Sequence, residues 1–130
     1  MGRYWKGSHT THRLEYHVVI TPKFRKRVLI GKITGILKKT IYEGCKMNGW
    51  WVSELSIQKD HVHMMIQISP SEPISEVVRK IKGATSRIIR EGFPEIIEFI
   101  WGKSLWSEGY FAETVGKVDE EIIRRYIRNQ

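Results

Sequence analysis

The chain has very little cysteine and no long apolar run. Cys45 is the only cysteine among 130 residues, which excludes an internal disulfide and a zinc site built from cysteines. No apolar run approaches the roughly 20 residues that a membrane-spanning helix needs. The N-terminal segment is basic and lacks the apolar stretch of a secretory signal. These absences predict a cytoplasmic protein that does not act at a membrane.

Acidic residues are also scarce relative to basic ones. The chain has 22 lysines and arginines against 14 aspartates and glutamates, which gives a net charge of +8. A small domain this basic often binds a polyanion, and nucleic acid is the default candidate. Solubility alone is the alternative explanation of the charge.

Low-complexity segments and linkers rich in serine, proline or glycine are absent, so residues 1–130 are interpreted as one domain. β-branched and aromatic residues predict strands at residues 14–21, 50–58, 61–68 and 105–116, the last broken by Gly109. Apolar residues at helical spacing predict helices at residues 31–48, 74–90 and 119–130, and about one helical turn within residues 93–102. The order β-α-β-β-α-β-α predicts an α+β, ferredoxin-like (RRM-like) fold, with two helices on one face of a four-stranded antiparallel sheet. The last helix, or a partner, is expected to cover the other face.

Two histidines stand two residues apart in the third predicted strand, within the segment KDHVHMMIQI. Because side chains alternate along a strand, His61 and His63 share the open face of the sheet, roughly 7 Å apart. Two imidazoles at this separation can bind one divalent cation. Half-exposed histidines bonded to their neighbours would give the same pattern. Mg²⁺ prefers oxygen ligands and Mn²⁺ accepts both oxygen and nitrogen, so the pattern leaves the metal open.

The last predicted helix offers a nucleophile and a further ligand on one face. Tyr126 and Gln130 are four residues apart and therefore neighbours on a helix. A glutamine amide oxygen can bind a metal ion, and a bound cation stabilises the charge that develops when a tyrosine attacks a phosphodiester. Such an attack gives a covalent phosphotyrosine, which retains the bond energy for rejoining. The alternatives are that Tyr126 extends the apolar stripe of the helix and that Gln130 is a solvated end residue.

Four segments, in order along nearly the whole chain, resemble the single-tyrosine HUH transposases of bacterial and archaeal insertion sequences (HUH denotes His, bulky hydrophobic, His). The segments are YHVVITPKFRKR, KDHVHMMIQI, LWSEGYFAETVG and YIRNQ. The resemblance implies an enzyme, a DNA transposase that cleaves and rejoins single-stranded DNA at the ends of an insertion sequence. It also implies that Tyr126 forms a 5′-phosphotyrosine intermediate and that His61, His63 and Gln130 bind Mg²⁺ or Mn²⁺.

The resemblance further implies a substrate and an assembly. The substrate would be single-stranded DNA with imperfect hairpins near the element ends, and targets would be chosen by base pairing with a short guide sequence in the element. The protein would be an obligate homodimer in which each site takes His61 and His63 from one subunit and Tyr126 from the other. Gly116 to Val118 would form the hinge of the last helix. The cytoplasmic protein would associate with the nucleoid when bound to DNA.

Further residues are candidates for DNA contacts or for support of the site. His17 and Asp60 could lie beside the histidine pair, although a structural role is favoured for His17 and a turn position for Asp60. Four tryptophans could stack on bases, although core or dimer contacts are favoured for most of them: Trp50, Trp51, Trp101 and Trp106. Phosphate contacts are predicted for the basic residues Arg13, Lys23, Arg25, Arg79, Lys80 and Lys82.

The alternative function is a non-catalytic module that binds hairpins of single-stranded DNA or RNA with the same ferredoxin-like sheet. The third strand lacks the aromatic octapeptide typical of RNA-recognition sheets and carries histidines on its open face, which favours the enzyme. A host-recruited relative that processes repeated hairpins is a third interpretation. Such relatives tend to be longer, so the compact chain favours the mobile-element form.

Overall fold

A computed structural model describes residues 14–100, 104–116 and 119–130, together with the backbone of residues 5–6 and 11–12. The strands are β1 (Trp5–Lys6), β2 (Thr11–His12), β3 (Glu15–Ile20), β4 (Trp51–Gln58), β5 (His61–Gln67) and β6 (Phe111–Thr114). The helices are α1 (Lys32–Met47), α2 (Ile74–Gly92), α3 (Pro94–Ile100) and α4 (Glu120–Arg128), and a short 3-10 helix spans Lys23–Arg25. No helix within these ranges is long and apolar enough to cross a membrane.

Strands β3 to β6 form one antiparallel sheet in the order β4-β5-β3-β6. β4 and β5 are a hairpin with a tight turn at Lys59 and Asp60. The register of the central pair places His63 opposite Val19 and His17 opposite Met65. The two central strands therefore bring histidines from distant parts of the chain to the middle of the sheet.

Helices α1 and α2 cover one face of the sheet because each has an apolar stripe at helical spacing. Leu37 and Ile41 of α1 and Val77 of α2 are fully buried. They pack in the same core as the alternate β5 residues Val62 and Met64, which are also fully buried. The sheet with two helices on this face confirms the predicted ferredoxin-like α+β fold.

Helix α4 lies on the opposite face, across β4 and β5. It buries Ile127, while its arginines reach carboxylates of the sheet. Arg124 Nη2 lies 3.9 Å from Glu15 Oε2 of β3, and Arg128 Nη2 lies 3.0 Å from Glu54 Oε2 of β4. The last helix of this chain therefore covers the face on which the histidines were predicted.

Two segments between α2 and α4 differ from the sequence-based predictions. Residues 94–100 form a seven-residue helix rather than a single turn, because Ile97 and Ile100 bury one side of it. The fourth strand is confined to Phe111–Thr114 instead of residues 105–116. Leu105 and Trp106 turn into the core instead of extending the strand, and Trp106 forms only an isolated bridge with Pro22.

Trp106 anchors this segment against α2. Its side chain is buried, and its Nε1–H donates a 2.8 Å hydrogen bond to Thr85 Oγ1. We expect Trp106→Ala to lower the free energy of unfolding by about 3–5 kcal/mol, because the ring is lost and a cavity remains. Urea denaturation measures the loss. Phe99→Ala, at an exposed ring on α3, is the matched control and should change stability by less than about 1 kcal/mol; equal losses in both variants would contradict the buried placement.

Candidate active site

The histidine pair lies where strand alternation predicted it. His61 and His63 occupy alternate positions of β5, and their ring centroids are 4.7 Å apart at an interplanar angle of 85°. The side chain of His61 is 20% exposed and His63 is 8% exposed. The two imidazoles are therefore adjacent and mostly buried on the face of the sheet that α4 covers.

Each histidine has its Nδ1 atom hydrogen-bonded to a neighbouring side chain. His61 Nδ1 lies 2.8 Å from Asp60 Oδ1, and His63 Nδ1 lies 3.0 Å from His17 Nε2. His61 Nε2 is buried and has no hydrogen-bond partner in the described part of the chain. A buried polar atom without a protein partner calls for an explanation, such as a role in binding an ion. Two adjacent imidazoles that are both held through Nδ1, one of them with an Nε2 atom that lacks a partner among the described residues, fit a divalent cation.

Asp60 does more than occupy the turn that was favoured for it. Its carboxylate accepts a hydrogen bond from Arg25 Nη2 at 3.2 Å as well as contacting His61. The hydrogen bond with His61 is the main cause that lowers the pKa of Asp60. An ionised Asp60 accepts the Nδ1–H of His61, which leaves the lone pair on His61 Nε2.

His63 is held in its neutral form at neutral pH. Burial, followed by the charges of His61 and His17, lowers the pKa of His63 from 6.5 to about 4. A metal ion binds the neutral imidazole, so this environment suits a ligand.

The lowered pKa of His63 predicts how the stability of the metal-free protein depends on pH. Between pH 6.5 and about 4 the unfolded chain protonates His63 and the folded chain does not. The unfolded state then binds more protons, so stability falls as the pH is lowered through this range. We expect a loss of up to about 3 kcal/mol from this group. Urea denaturation in EDTA measures it, and His63→Gln should have a shallower slope; the same slope in both proteins would contradict the assignment.

Tyr126 of α4 lies next to the histidine pair of its own chain. Its ring centroid is 5.8 Å from that of His63 at 83°, and 55% of the residue is exposed. Ile127 beside it is the buried residue of α4. Tyr126 therefore does not continue a buried apolar stripe, and its phenol is accessible to a substrate at the site.

Gln130 lies just beyond the end of α4. α4 ends at Arg128, and the Gln130 backbone N–H bonds to Ile127 O, three residues back. Gln130 is exposed. Within the described ranges no group of three or more His, Cys, Asp or Glu side chains could hold a metal ion. A third protein ligand from these ranges would therefore not be a His, Cys, Asp or Glu side chain. The Gln130 amide stays a prediction.

Comparison with known proteins identifies the family. The sequence model of the family described as "Transposase IS200 like" matches residues 10–130. The chain belongs to the IS200-like transposase family. It is 32% identical over 125 residues to the ISDra2 transposase TnpA of Deinococcus radiodurans, which covers 96% of this chain and 89% of the relative. It is 28% identical over 123 residues to the transposase for insertion sequence element IS200 of Salmonella typhimurium, which covers 95% of this chain and 80% of the relative.

Two solved structures share the fold of this transposase. A crystal structure of a candidate transposase from Deinococcus radiodurans R1 has a TM-score of 0.79 and 31% identity, with 97% of each chain covered. A REP-associated tyrosine transposase bound to a REP hairpin has a TM-score of 0.63 and 13% identity, with 98% of this chain and 70% of the other covered, and it shows the fold alone. The resemblance found in the sequence is confirmed, and DNA transposition of an insertion sequence is the class of function.

The predicted DNA contacts of this transposase are dispersed over the molecule. Arg25 lies at the histidine end of the sheet through its bond to Asp60, whereas Arg13 lies outside the described residues. Lys82 is engaged within the chain, where Nζ donates to the backbone oxygens of Ser107 and Gly109. Three candidates lie on α2, across the sheet from the histidines: Arg79, Lys80 and Lys82. Lys23, in the 3-10 helix, is half-buried.

The tryptophans mostly have structural roles, as was favoured. Trp50 is buried and donates from Nε1 to Glu72 Oε2 at 2.9 Å, and Trp106 is in the core. Trp51 is half-buried. Trp101 and residues 117–118 of the predicted hinge lie outside the described residues.

Two neighbours of the pair were not predicted as site residues. His17 was placed on the correct face of its strand, but its bond to His63 depends on the register of β3 with β5. Glu113 of β6 lies opposite His17, and its Oε1 atom is 3.4 Å from His17 Nδ1. Strand alternation predicts the face of the sheet on which a side chain lies, but not its neighbours on the adjacent strands. The contacts of His17 with His63 and Glu113 could be predicted only with the registers of β3 with β5 and β6.

Proposed function

We propose that this transposase cleaves and rejoins single-stranded DNA at the ends of an insertion sequence, with Tyr126 as the nucleophile. The observation that supports this most strongly is the contact of the exposed Tyr126 ring with His63, 5.8 Å between centroids, beside a buried His61 Nε2 that has no partner among the described residues. A nucleophile next to a candidate cation site is the arrangement that phosphodiester cleavage needs.

A divalent cation, Mg²⁺ or Mn²⁺, would be held by the Nε2 atoms of His61 and His63, with the Gln130 amide oxygen as a third ligand. When bound, it would polarise the phosphodiester and stabilise the developing negative charge. The Tyr126 oxygen attacks the phosphorus and loses its proton, the bond to the 3′ oxygen breaks, and that oxygen leaves as a 3′-hydroxyl. The strand stays attached through a 5′-phosphotyrosine bond, which a 3′-hydroxyl of another end attacks to rejoin the DNA and release Tyr126.

The proposed substrate is single-stranded DNA with hairpins near the element ends. The net charge of +8 suits a polyanion, and a structural neighbour was solved with a REP hairpin bound. Target sites would be chosen by base pairing with a guide sequence in the element. A protein with this substrate would work in the cytoplasm, at the nucleoid when bound to DNA.

We also propose a homodimer with composite sites, as the family resemblance implies. Within one chain, α4 already brings Tyr126 to its own His63. A shared site would require α4 to make the same contacts on the sheet of the partner subunit, in the manner of an exchanged element. The Tyr126→Phe variant mixed with the His61→Ala/His63→Ala variant tests this. Restored cleavage in the mixture supports shared sites, and cleavage that stays absent contradicts them.

A covalent-adduct assay tests the proposed activity. Labelled single-stranded hairpin DNA from the flanks of the element is incubated with protein and Mn²⁺ or Mg²⁺ and separated on a denaturing gel. We expect a slowly migrating adduct with the single strand and the cation, and none with EDTA or with the duplex form. Tight hairpin binding without an adduct would contradict the enzyme and support the non-catalytic module.

A further inference from the structure

We propose that Glu113 and His17 form a hydrogen-bond chain that fixes the tautomer of His63, with the proton on Nδ1 and the lone pair on Nε2. The chain joins three adjacent strands of the sheet, with Glu113 on β6, His17 on β3 and His63 on β5. Its use in cation binding rests on the proposed function, whereas the tautomer itself can be measured without a metal. Glu113 and His17 would be positioning residues that act on the cation through His63.

The geometry of the chain is tight at its centre. His17 Nε2 and His63 Nδ1 are 3.0 Å apart, both residues are 8% exposed, and the two ring planes differ by only 13°. At the outer end, His17 Nδ1 lies 3.4 Å from Glu113 Oε1. The ring of Phe111 packs edge-on against His17, with 5.7 Å between centroids. His17 is thus held between His63, Glu113 and Phe111, which restricts its orientation.

The carboxylate at the end gives the chain a direction. A neutral imidazole has one N–H and one lone pair, while an ionised carboxylate can only accept. A neutral His17 therefore places its proton on Nδ1 to donate to Glu113, which makes His17 Nε2 an acceptor. His63 must then donate from Nδ1, so its Nε2 carries the lone pair. The opposite arrangement would place the His17 Nδ1 lone pair against the Glu113 carboxylate, an unfavourable pairing of two acceptors.

The two histidines of the pair would then be oriented by equivalent means. Asp60 accepts directly from His61 Nδ1, and Glu113 acts on His63 through His17. Both devices leave the lone pair on Nε2, on two imidazoles whose ring centroids are 4.7 Å apart. His63 contacts His17 rather than a carboxylate, and the carboxylate of Glu113 lies farther out, where its side chain is half-exposed. This arrangement keeps an uncompensated negative charge away from the interior.

Nuclear magnetic resonance of ¹⁵N-labelled protein in EDTA tests the tautomer directly. Long-range ¹H–¹⁵N correlations distinguish a protonated Nδ1 from a protonated Nε2, at one fixed pH near 7.5. We expect the Nδ1–H form for His63 in the wild type and a mixture of both tautomers in His17→Ala. A wild-type His63 in the Nε2–H form would overturn the proposal.

Mn²⁺ affinity, followed by electron paramagnetic resonance of the free ion, tests the consequence. We expect His17→Ala to weaken binding about 10–100-fold, as loss of a partner behind a ligand does. His17→Gln, whose amide oxygen can accept from Nδ1–H, should recover part of the affinity. Glu113→Ala tests the chain at a half-exposed residue and should weaken binding by less than about tenfold. The matched control is Glu108→Gln, at an exposed carboxylate that takes no part in the proposed hydrogen-bond chain.

The two readouts separate this proposal from the proposed function. His17→Ala and Glu113→Ala could both leave the Mn²⁺ affinity and the His63 tautomer unchanged. That result would overturn the proposed hydrogen-bond chain and would leave the metal site intact. The wild type could instead bind no Mn²⁺ while His63 has the Nδ1–H tautomer, which changes to a mixture in His17→Ala. That result would contradict the metal site and support the hydrogen-bond chain.

Discussion

Tyr126→Phe is expected to abolish the covalent protein–DNA adduct and to reduce strand cleavage by at least about a thousandfold. Phenylalanine lacks the oxygen that would bond to phosphorus, so no covalent intermediate can form. The remaining site could at most position water, which would hydrolyse the strand without conserving the bond for rejoining. Quantitative denaturing gels with a labelled hairpin substrate measure both the adduct and the cleaved strand.

The same variant should leave the rest of the protein unaltered. Tyr126 is 55% exposed, so its hydroxyl is expected to change stability by less than about 0.5 kcal/mol. Hairpin binding and Mn²⁺ affinity should be retained. Tyr110→Phe, at another exposed tyrosine, is the matched control and should form the adduct like the wild type. An adduct that persists in Tyr126→Phe would show that another residue is the nucleophile.

His63→Ala is expected to weaken Mn²⁺ binding by at least about 100-fold and to abolish cleavage, because it removes one of the two imidazoles proposed to bind the cation. Mn²⁺ at 100 times its dissociation constant should stabilise the wild type by about 2.7 kcal/mol and should not stabilise the variant. Thermal unfolding with and without Mn²⁺ measures this difference, and titration calorimetry measures the affinity. Hairpin binding, which we predict to depend on basic residues elsewhere, should remain.

Ser56→Ala is a control for local perturbation. Ser56 lies opposite His63 on β4 and shares its face of the sheet, yet it carries no group expected to bind the cation. Its Mn²⁺-dependent stabilisation should match that of the wild type. Full retention of that stabilisation in His63→Ala would contradict the assignment of His63 as a ligand.

Local periodicity predicted most of the helices and strands and the position of the His61–His63 pair. The apolar stripes of α1 and α2 and the alternation along β5 were sufficient to place the core on one face and the His61–His63 pair on the other. These patterns could be recognised because burial on one face forces a period of 3.6 or 2 residues along the chain. The four-segment resemblance contributed what periodicity cannot, a reason to prefer Tyr126 as the nucleophile over Tyr126 as part of an apolar stripe.

Features that depend on distant parts of the chain were not predictable in this way. The bond between His17 and His63 requires the register of β3 and β5, which no local pattern specifies. Trp106 was assigned to a strand because aromatic residues favour strands, but burial and the bond to Thr85 hold it in the core. Gln130 follows the last helical turn, where the spacing of an ideal helix no longer applies.

The most direct test is to identify the residue that carries the DNA. The adduct formed with single-stranded hairpin DNA is trimmed with nuclease and digested with endoproteinase Lys-C, and the peptides are sequenced by tandem mass spectrometry. Cleavage after Lys117 releases residues 118–130, in which Tyr126 is the only tyrosine. The account predicts a 5′-phosphonucleotide on Tyr126. A nucleotide on any other residue, or an adduct that lacks a phosphotyrosine bond, would contradict it.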